Sequence, residues 1–216
     1  GMICWRNGLT LFRIRNLSPI SMNRIFVIDF DSTFIKSETI DLLAEYSLAG
    51  KDGASDTIRE IREITDAGME GKIDLSESLA RRIRLLQAGR AHLQALIDKI
   101  RGDVSASFSR NKKFFRDYAD QIYIISNGFK EIIDPIASDF GIRLENVFAN
   151  TFRYDNQGNI IGFDEQNILS KDNGKVELLK SLQIQDDIYV IGDGYSDYQI
   201  KEAGLANKFY AFTENV

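Results

Sequence analysis

The sequence predicts a doubly wound α/β fold: a mainly parallel sheet flanked by helices, with a small helical cap inserted after the first strand. Three observations lead there. Three short runs rich in β-branched residues, at 25–28, 122–125 and 188–191, are near-continuously apolar, as strands buried on both faces are. Helical periodicity separates and follows them, which is the βαβ alternation that builds a parallel sheet. Each run is followed by polar residues, and the long stretch after the first contains helical patterns and no convincing strand.

In chain order, the strand at 25–28 leads into the cap, 37–105, whose predicted helices are 39–48, 57–67, 76–86 and 91–100. Gly50, Gly53, Gly68, Gly71, Gly89 and Gly102 punctuate them. A helix at 112–118 and the strand at 122–125 follow, then a helix at 130–140 closed by Gly141. Residues 147–154 and 160–163 flank Asp155-Asn156-Gln157-Gly158, the composition of a turn, and predict an edge hairpin. A helix at 175–182, the strand at 188–191, a helix at 196–203 closed by Gly204 and a last strand at 209–212 complete a Rossmann-like core over 22–36 and 106–216. Residues 1–21 read as an extension or a start assigned too early, with Met22 as the true one. The stop at Val216, soon after the last strand, suggests one piece of a longer polypeptide.

Composition narrows the chemistry. The 216 residues are 44% hydrophobic and 27% charged, and no apolar run approaches the roughly 20 residues that span a bilayer, so a membrane protein is excluded. A net charge of −5, with Lys and Arg scattered, gives no long-range attraction to a polyanion, so nucleic acid is a poor candidate partner and none is expected. The single cysteine, Cys4, cannot form an internal disulfide and fits a reducing cytoplasm. With His92 the only histidine, read here as a surface residue, histidine-pair metal sites are ruled out and a Ser/His/Asp triad is disfavoured. The chemistry must run on carboxylates.

The residues after the three strands supply them: Asp29 and Asp31, then Ser126-Asn127-Gly128, then Asp193 and Gly194. Ligands of open α/β sheets bind at the carboxyl ends of the strands, so these distant residues should converge. Any one Asp in such a place is ordinarily a turn or cap residue; the set is harder to dismiss. If the first strand continues two residues, alternation points Asp29 and Asp31 the same way. Paired carboxylates without histidine or cysteine favour a hard cation, Mg2+ where phosphate is present. Asp197, one helical turn beyond Asp193, adds a carboxylate. Ser32, Thr33, Ser126 and the N–H groups of Asn127 and Gly128 are donors suited to phosphoryl oxygens, and Lys175 adds a positive charge.

Taken together, Asp29-Phe30-Asp31-Ser32-Thr33, Ser126-Asn127-Gly128, Lys175 and Gly192-Asp193-Gly194-Tyr195-Ser196-Asp197 resemble the four ordered motifs of the haloacid dehalogenase-like superfamily. The resemblance covers nearly everything after residue 21. It implies a Mg2+-dependent phosphatase in which Asp29 is the nucleophile and Asp31 the acid and base, since the dehalogenases proper lack the second aspartate. It further implies Ser126, Lys175 and Gly194 around the phosphate. The metal would be held by Asp29, Asp193 and the Asp31 carbonyl, with Asp197 orienting its waters.

Within the cap, Ser37-Glu38-Thr39-Ile40-Asp41, Met69-Glu70-Gly71-Lys72 and Ser78-Leu79-Ala80-Arg81-Arg82 resemble phosphoserine phosphatases, in which the matched glutamate and arginine hold the amino acid part of the substrate. Helical spacing agrees independently for Arg82, which falls within the apolar stripe Leu75, Leu79, Ile83, Leu86; a charge there needs a partner. Glu38 and Arg82 would suit a zwitterion, with Met69 and Leu75 as apolar walls. The expected substrate is O-phospho-L-serine. Tyr195-Ser196, where these phosphatases carry a small residue and Asn, keeps another small phosphorylated metabolite open, such as an enol-phosphate of methionine salvage. An inactive domain of a longer chain is the remaining alternative. Nothing in the sequence sets the oligomeric state.

Overall fold

A single parallel sheet organises the chain, and each strand's two faces feed different cores. The computed structural model describes residues 3–4 and 24–215. The extension expected at 1–21 lies outside the described residues, apart from the backbone of Ile3 and Cys4. The elements are β1 (Ile3–Cys4), β2 (Arg24–Ile28), α1 (Thr39–Leu48), α2 (Ala54–Met69), α3 (Leu75–Leu85), α4 (Arg90–Ile100), α5 (Ala106–Arg110), α6 (Lys112–Asp117), β3 (Ile122–Phe129) and α7 (Lys130–Asp139). They continue with β4 (Val147–Asn150), β5 (Phe152–Tyr154), β6 (Ile160–Phe163), α8 (Gly174–Ser181), β7 (Asp187–Gly192), α9 (Tyr195–Glu202) and β8 (Lys208–Ala211).

The sheet order is β1-β8-β7-β2-β3-β4, all parallel, as the doubly wound reading expects. Alternation divides its side chains: Ile28, Ile122 and Ile124 enter one core, while Ile25, Val27, Ile125, Ile188 and Val190 enter the other. Burial on both faces explains why these runs read as unbroken apolar segments. The central trio β7-β2-β3 brings the ends of all three predicted strands side by side.

Helices α1–α4 leave the sheet after β2 and return before α5. The two crossings touch where Ile35 bridges Val104 and the N–H of Lys36 donates to the Asp103 carbonyl at 3.0 Å. Beyond the crossings, this helical segment meets the core elsewhere as well, including at Arg101, whose Nε donates to Asp139 Oδ2 at 2.8 Å. Ser76 Oγ donates to the Ser170 carbonyl (2.7 Å) and Leu75 N–H to Asp172 Oδ1 (3.0 Å), while Gly89 pairs with Asn159.

Three local expectations need correction. Residues 147–154 are not one hairpin arm: β4 joins the main sheet and only β5 pairs antiparallel with β6, because two apolar stretches separated by Thr151 give the same local pattern as one. β3 does not end at Ile125 but runs on through Ser126, Asn127 and Gly128 to Phe129. His92 is half-buried rather than a surface residue, its Nδ1 accepting the Gly89 N–H at 3.1 Å at the start of α4.

An aromatic cluster lies under the turn that follows β2. Phe34 stacks on Phe30 and Phe108 and meets Phe115 and Phe140 edge-on, with centroids 4.9–5.9 Å apart. Phe34 is fully buried, so Phe34→Ala should leave a cavity and cost about 3–5 kcal/mol in urea unfolding. A loss under about 1 kcal/mol would contradict this packing role.

Candidate active site

β2 stops at Ile28, and the chain enters a wide turn, Phe30–Phe34, closed by the Ile35 N–H on the Phe30 carbonyl (3.0 Å). Asp29 caps this turn: its Oδ1 accepts the Phe30 N–H at 2.7 Å. The turn corrects the alternation argument for Asp31, since no strand continues to carry it. Asp31 Oδ1 instead accepts the Thr39 N–H at the start of α1 (3.0 Å), and its Oδ2 lies over Gly128. A Cβ at Gly128 would stand 2.9 Å from that oxygen, so the glycine in β3 is what lets the carboxyl approach.

At the end of β7, Asp193 Oδ1 accepts the Thr33 hydroxyl at 2.6 Å. Asp197, in the first turn of α9, folds back over Gly192, where any side chain would collide with its carboxylate. Asp29, Asp193 and Asp197 each bring one oxygen within 4.8 Å of the other two. Lys175, only 2% exposed near the start of α8, donates to Asp29 Oδ2 (2.8 Å) and Asp197 Oδ1 (2.7 Å). Ser126 Oγ, also buried, accepts the Gly128 N–H at 3.0 Å.

Burial, reinforced by like charges, sets the protonation equilibria of the site. Burial raises Asp31 well above the carboxylate range, and the charges of Glu38 and Asp29 add to it. Burial likewise pushes Glu38 up to about 7 and raises Asp193, with Asp29 contributing in both cases. Burial pushes Asp197 up to about 8, again reinforced by Asp29. For Lys175 burial acts to lower the pKa, but Asp197 and Asp29 outweigh it and hold the ammonium charged. Among the described residues no cationic side chain pairs directly with Asp193. This all-oxygen, under-neutralised set fits a hard divalent cation such as Mg2+.

A second polar group lies on the helical segment. Glu38 Oε1 accepts the Ser32 hydroxyl at 2.8 Å. Arg82 is 7% exposed yet has no carboxylate within ion-pair distance among the described residues: its Nε donates to the Ser78 carbonyl (3.4 Å) and its Nη1 to Thr65 Oγ1 (3.3 Å). Thr65 in turn donates to Asp41 Oδ1 at 2.8 Å. The buried guanidinium is thus offset through Asp41, Glu38 and Asp31 at a distance, while its fork stays free of a carboxylate.

The structure therefore gathers Asp29, Asp31, Ser32, Thr33, Glu38, Ser126, Gly128, Lys175, Asp193, Gly194 and Asp197 around the ends of β2, β3 and β7. Several differ from expectation in what they do. Thr33 is fully buried and spends its hydroxyl on Asp193 rather than presenting it to a ligand. The Asn127 side chain is committed to the Leu169 carbonyl (2.8 Å). Met69 is 59% exposed at the end of α2, and Leu75 is half-buried. Asp41 and Thr65 join the site without a motif of their own; their one sequence signal is their position on helices bearing the matched segments.

A family model for haloacid dehalogenase-like hydrolases matches residues 26–201, and the chain belongs to that family. Its relatives are more specific. The chain is 32% identical over 187 residues to phosphoserine phosphatase, chloroplastic, of Arabidopsis thaliana, covering 85% of this chain and 61% of that one. It is 31% identical over 201 residues to phosphoserine phosphatase of Drosophila melanogaster, covering 91% and 71%. A solved phosphoserine phosphohydrolase-like protein from Francisella tularensis superimposes with a TM-score of 0.77 at 30% identity, covering 89% of this chain and 88% of that one. No helix among the described residues is long and apolar enough to cross a membrane.

Two outcomes are expected. Because Glu38 is raised in the folded state, its ionisation opposes folding from about pH 4.5 to 7. In the metal-free protein, Glu38→Gln should therefore gain about 1–3 kcal/mol in denaturant unfolding above pH 7 and nothing below about pH 4. Equal stabilities at pH 8 would contradict the burial of that charge. Mg2+ should raise the melting temperature, with a stabilisation of about 2.7 kcal/mol at 100 times its dissociation constant, and Asp193→Asn should abolish the shift.

Proposed function

We propose that the chain is a Mg2+-dependent phosphomonoester phosphatase whose preferred substrate is O-phospho-L-serine. The observation that carries the reaction is Asp29 set between Lys175 and the Asp193–Asp197 carboxylates, with Asp31, whose pKa burial raises, two residues away. Asp29 is fixed by the Phe30 N–H on Oδ1 and the Lys175 ammonium on Oδ2, which orient the carboxylate so that a remaining lone pair attacks phosphorus. As the P–O ester bond breaks, Asp31 gives its proton to the departing alkoxide; an alkyl alkoxide is a poor leaving group, and such transfer is typically worth about 10²–10⁴ in rate. The ionised Asp31 then takes a proton from the water that attacks the aspartyl-phosphate, which releases phosphate and restores Asp29. Asp29, Asp193 and the Asp31 carbonyl would hold Mg2+, with Asp197 outside them; the cation supplies neutralisation of the phosphoryl oxygens. Lys175, the Ser126 hydroxyl and the N–H groups of Asn127 and Gly194 contribute donors, the Gly128 N–H being already given to Ser126 Oγ.

The substrate assignment is supported by the Arg82 guanidinium, which no carboxylate pairs among the described residues, and by the nearby Glu38 carboxyl. A buried Arg fork without a carboxylate suits the substrate carboxylate, and an ammonium beside Glu38 would restore its ionised form. Helices α1–α4 act in this reading as the specificity cap, with Met69 and Leu75 as its apolar walls. The single cysteine supports a reducing compartment such as the cytoplasm.

Asp29→Asn should abolish phosphoserine hydrolysis while circular dichroism stays native; appreciable turnover would remove Asp29 as nucleophile. Arg82→Ala should lower kcat/KM for phosphoserine by about 10²-fold or more and that for 4-nitrophenyl phosphate much less. Equal losses on both substrates would end the carboxylate-recognition assignment.

A further inference from the structure

The segment after β8 reaches back into the turn that carries Asp31. Phe212 donates its N–H to the Gly192 carbonyl (2.9 Å) and stacks on Phe108, with centroids 5.3 Å apart, and Phe108 stacks on Phe34. Glu214 then accepts the N–H of Ala106 (2.6 Å) and of Ser107 (3.3 Å) beyond the return crossing. These contacts deliver the Asn215 amide into a nest of acceptors. Its Nδ2 lies 3.0 Å from the Ser32 carbonyl, 3.5 Å from that of Thr33, 3.3 Å from that of Ile35 and 2.8 Å from Ser105 Oγ. Ser105 Oγ itself donates to the Thr33 carbonyl at 2.6 Å.

The turn needs such a donor. Carbonyls of Ser32, Thr33 and Ile35 converge on one point, and their dipoles repel unless an N–H lies between them. Ser32 is also held at φ 53°, in the left-handed region, where a non-glycine residue costs on the order of 1–3 kcal/mol and persists only if its surroundings over-determine it. The same amide therefore ties a strained residue, the outgoing crossing at Ile35 and the return crossing at Ser105. Ser32 follows Asp31 directly, so the amide acts on the backbone that aims the Asp31 carboxyl.

We propose that Asn215 is a positioning residue of the reaction: its side-chain amide fixes the turn after β2 so that Asp31 meets the leaving oxygen of the phosphomonoester. This rests on the phosphatase reading above. The distinguishing consequence is a dependence on leaving group. Phosphoserine needs the Asp31 proton to release its alkoxide, whereas 4-nitrophenolate leaves unaided, and kcat/KM reports the steps through that departure.

The test compares kcat/KM for the two substrates in the wild type, Asn215→Ala and Asn215→Asp, with folding checked by circular dichroism. Phosphoserine should lose about tenfold or more in Asn215→Ala, and more in Asn215→Asp, whose carboxylate would face the carbonyls; 4-nitrophenyl phosphate should stay within about threefold. Should both variants fail to fold, Ser105→Ala carries the same comparison, with a smaller loss confined to phosphoserine. Equal losses on both substrates, or no loss in folded variants, overturn the proposal alone. A wild type inactive on both substrates overturns the phosphatase reading and this proposal with it.

Discussion

The buried ammonium of Lys175 is the contact on which the site depends. Three carboxylates meet within 4.8 Å at the ends of β2 and β7, and two of them share this one cation. Without it, Asp29 and Asp197 would be brought together unpaired in a medium that penalises charge, at a typical cost of about 3–5 kcal/mol. With it, the cluster is still short of positive charge, and the remaining deficit is expressed in Asp193, Asp197 and Asp31, all raised first by burial. A site built this way favours whatever brings positive charge to the carboxylates and disfavours a second ionised group at Asp31. Those are the conditions for a metal-assisted nucleophile beside a general acid.

Backbone shape does the rest. The turn after β2 separates two residues that a strand would have aligned, sending Asp29 to Lys175 and Asp31 to the start of α1. The glycines at 128 and 192 admit Asp31 and Asp197 where a Cβ would block them. Phe34 anchors the turn from below through its ring contacts, and Thr33 ties it to Asp193. The turn Phe30–Phe34 thus serves both site and packing: Asp31, Ser32 and Thr33 bond polar partners, while Phe30 and Phe34 pack in the aromatic cluster beneath.

Much of this was legible from local pattern. Strands buried on both faces are apolar at nearly every position, so β2, β3 and β7 stood out, and the residues following them named the site. Arg82 was legible because a charge within the stripe of Leu79 and Ile83 has nowhere to go but inward, and it is buried. What remained hidden depended on backbone turns and contacts across the chain. The reach of Asp31 depends on the turn that begins where β2 ends at Ile28, and strand alternation carries no trace of it. Thr33 carries a donor like any threonine, and only the fold assigns it to Asp193, 160 residues away. The Thr65–Asp41 support of Arg82 and the Asn215 amide have no periodic signature, since each joins elements far apart in sequence.

Capture of the phosphorylated enzyme tests the central claim most directly. Protein mixed with phosphoserine and Mg2+ is quenched in acid within one turnover, reduced with borohydride and mapped by mass spectrometry. An acyl phosphate on Asp29 is then read as homoserine at position 29, in substrate-treated protein alone. Phosphoserine turnover with position 29 unmodified, or with the modification on another carboxylate, would contradict the account.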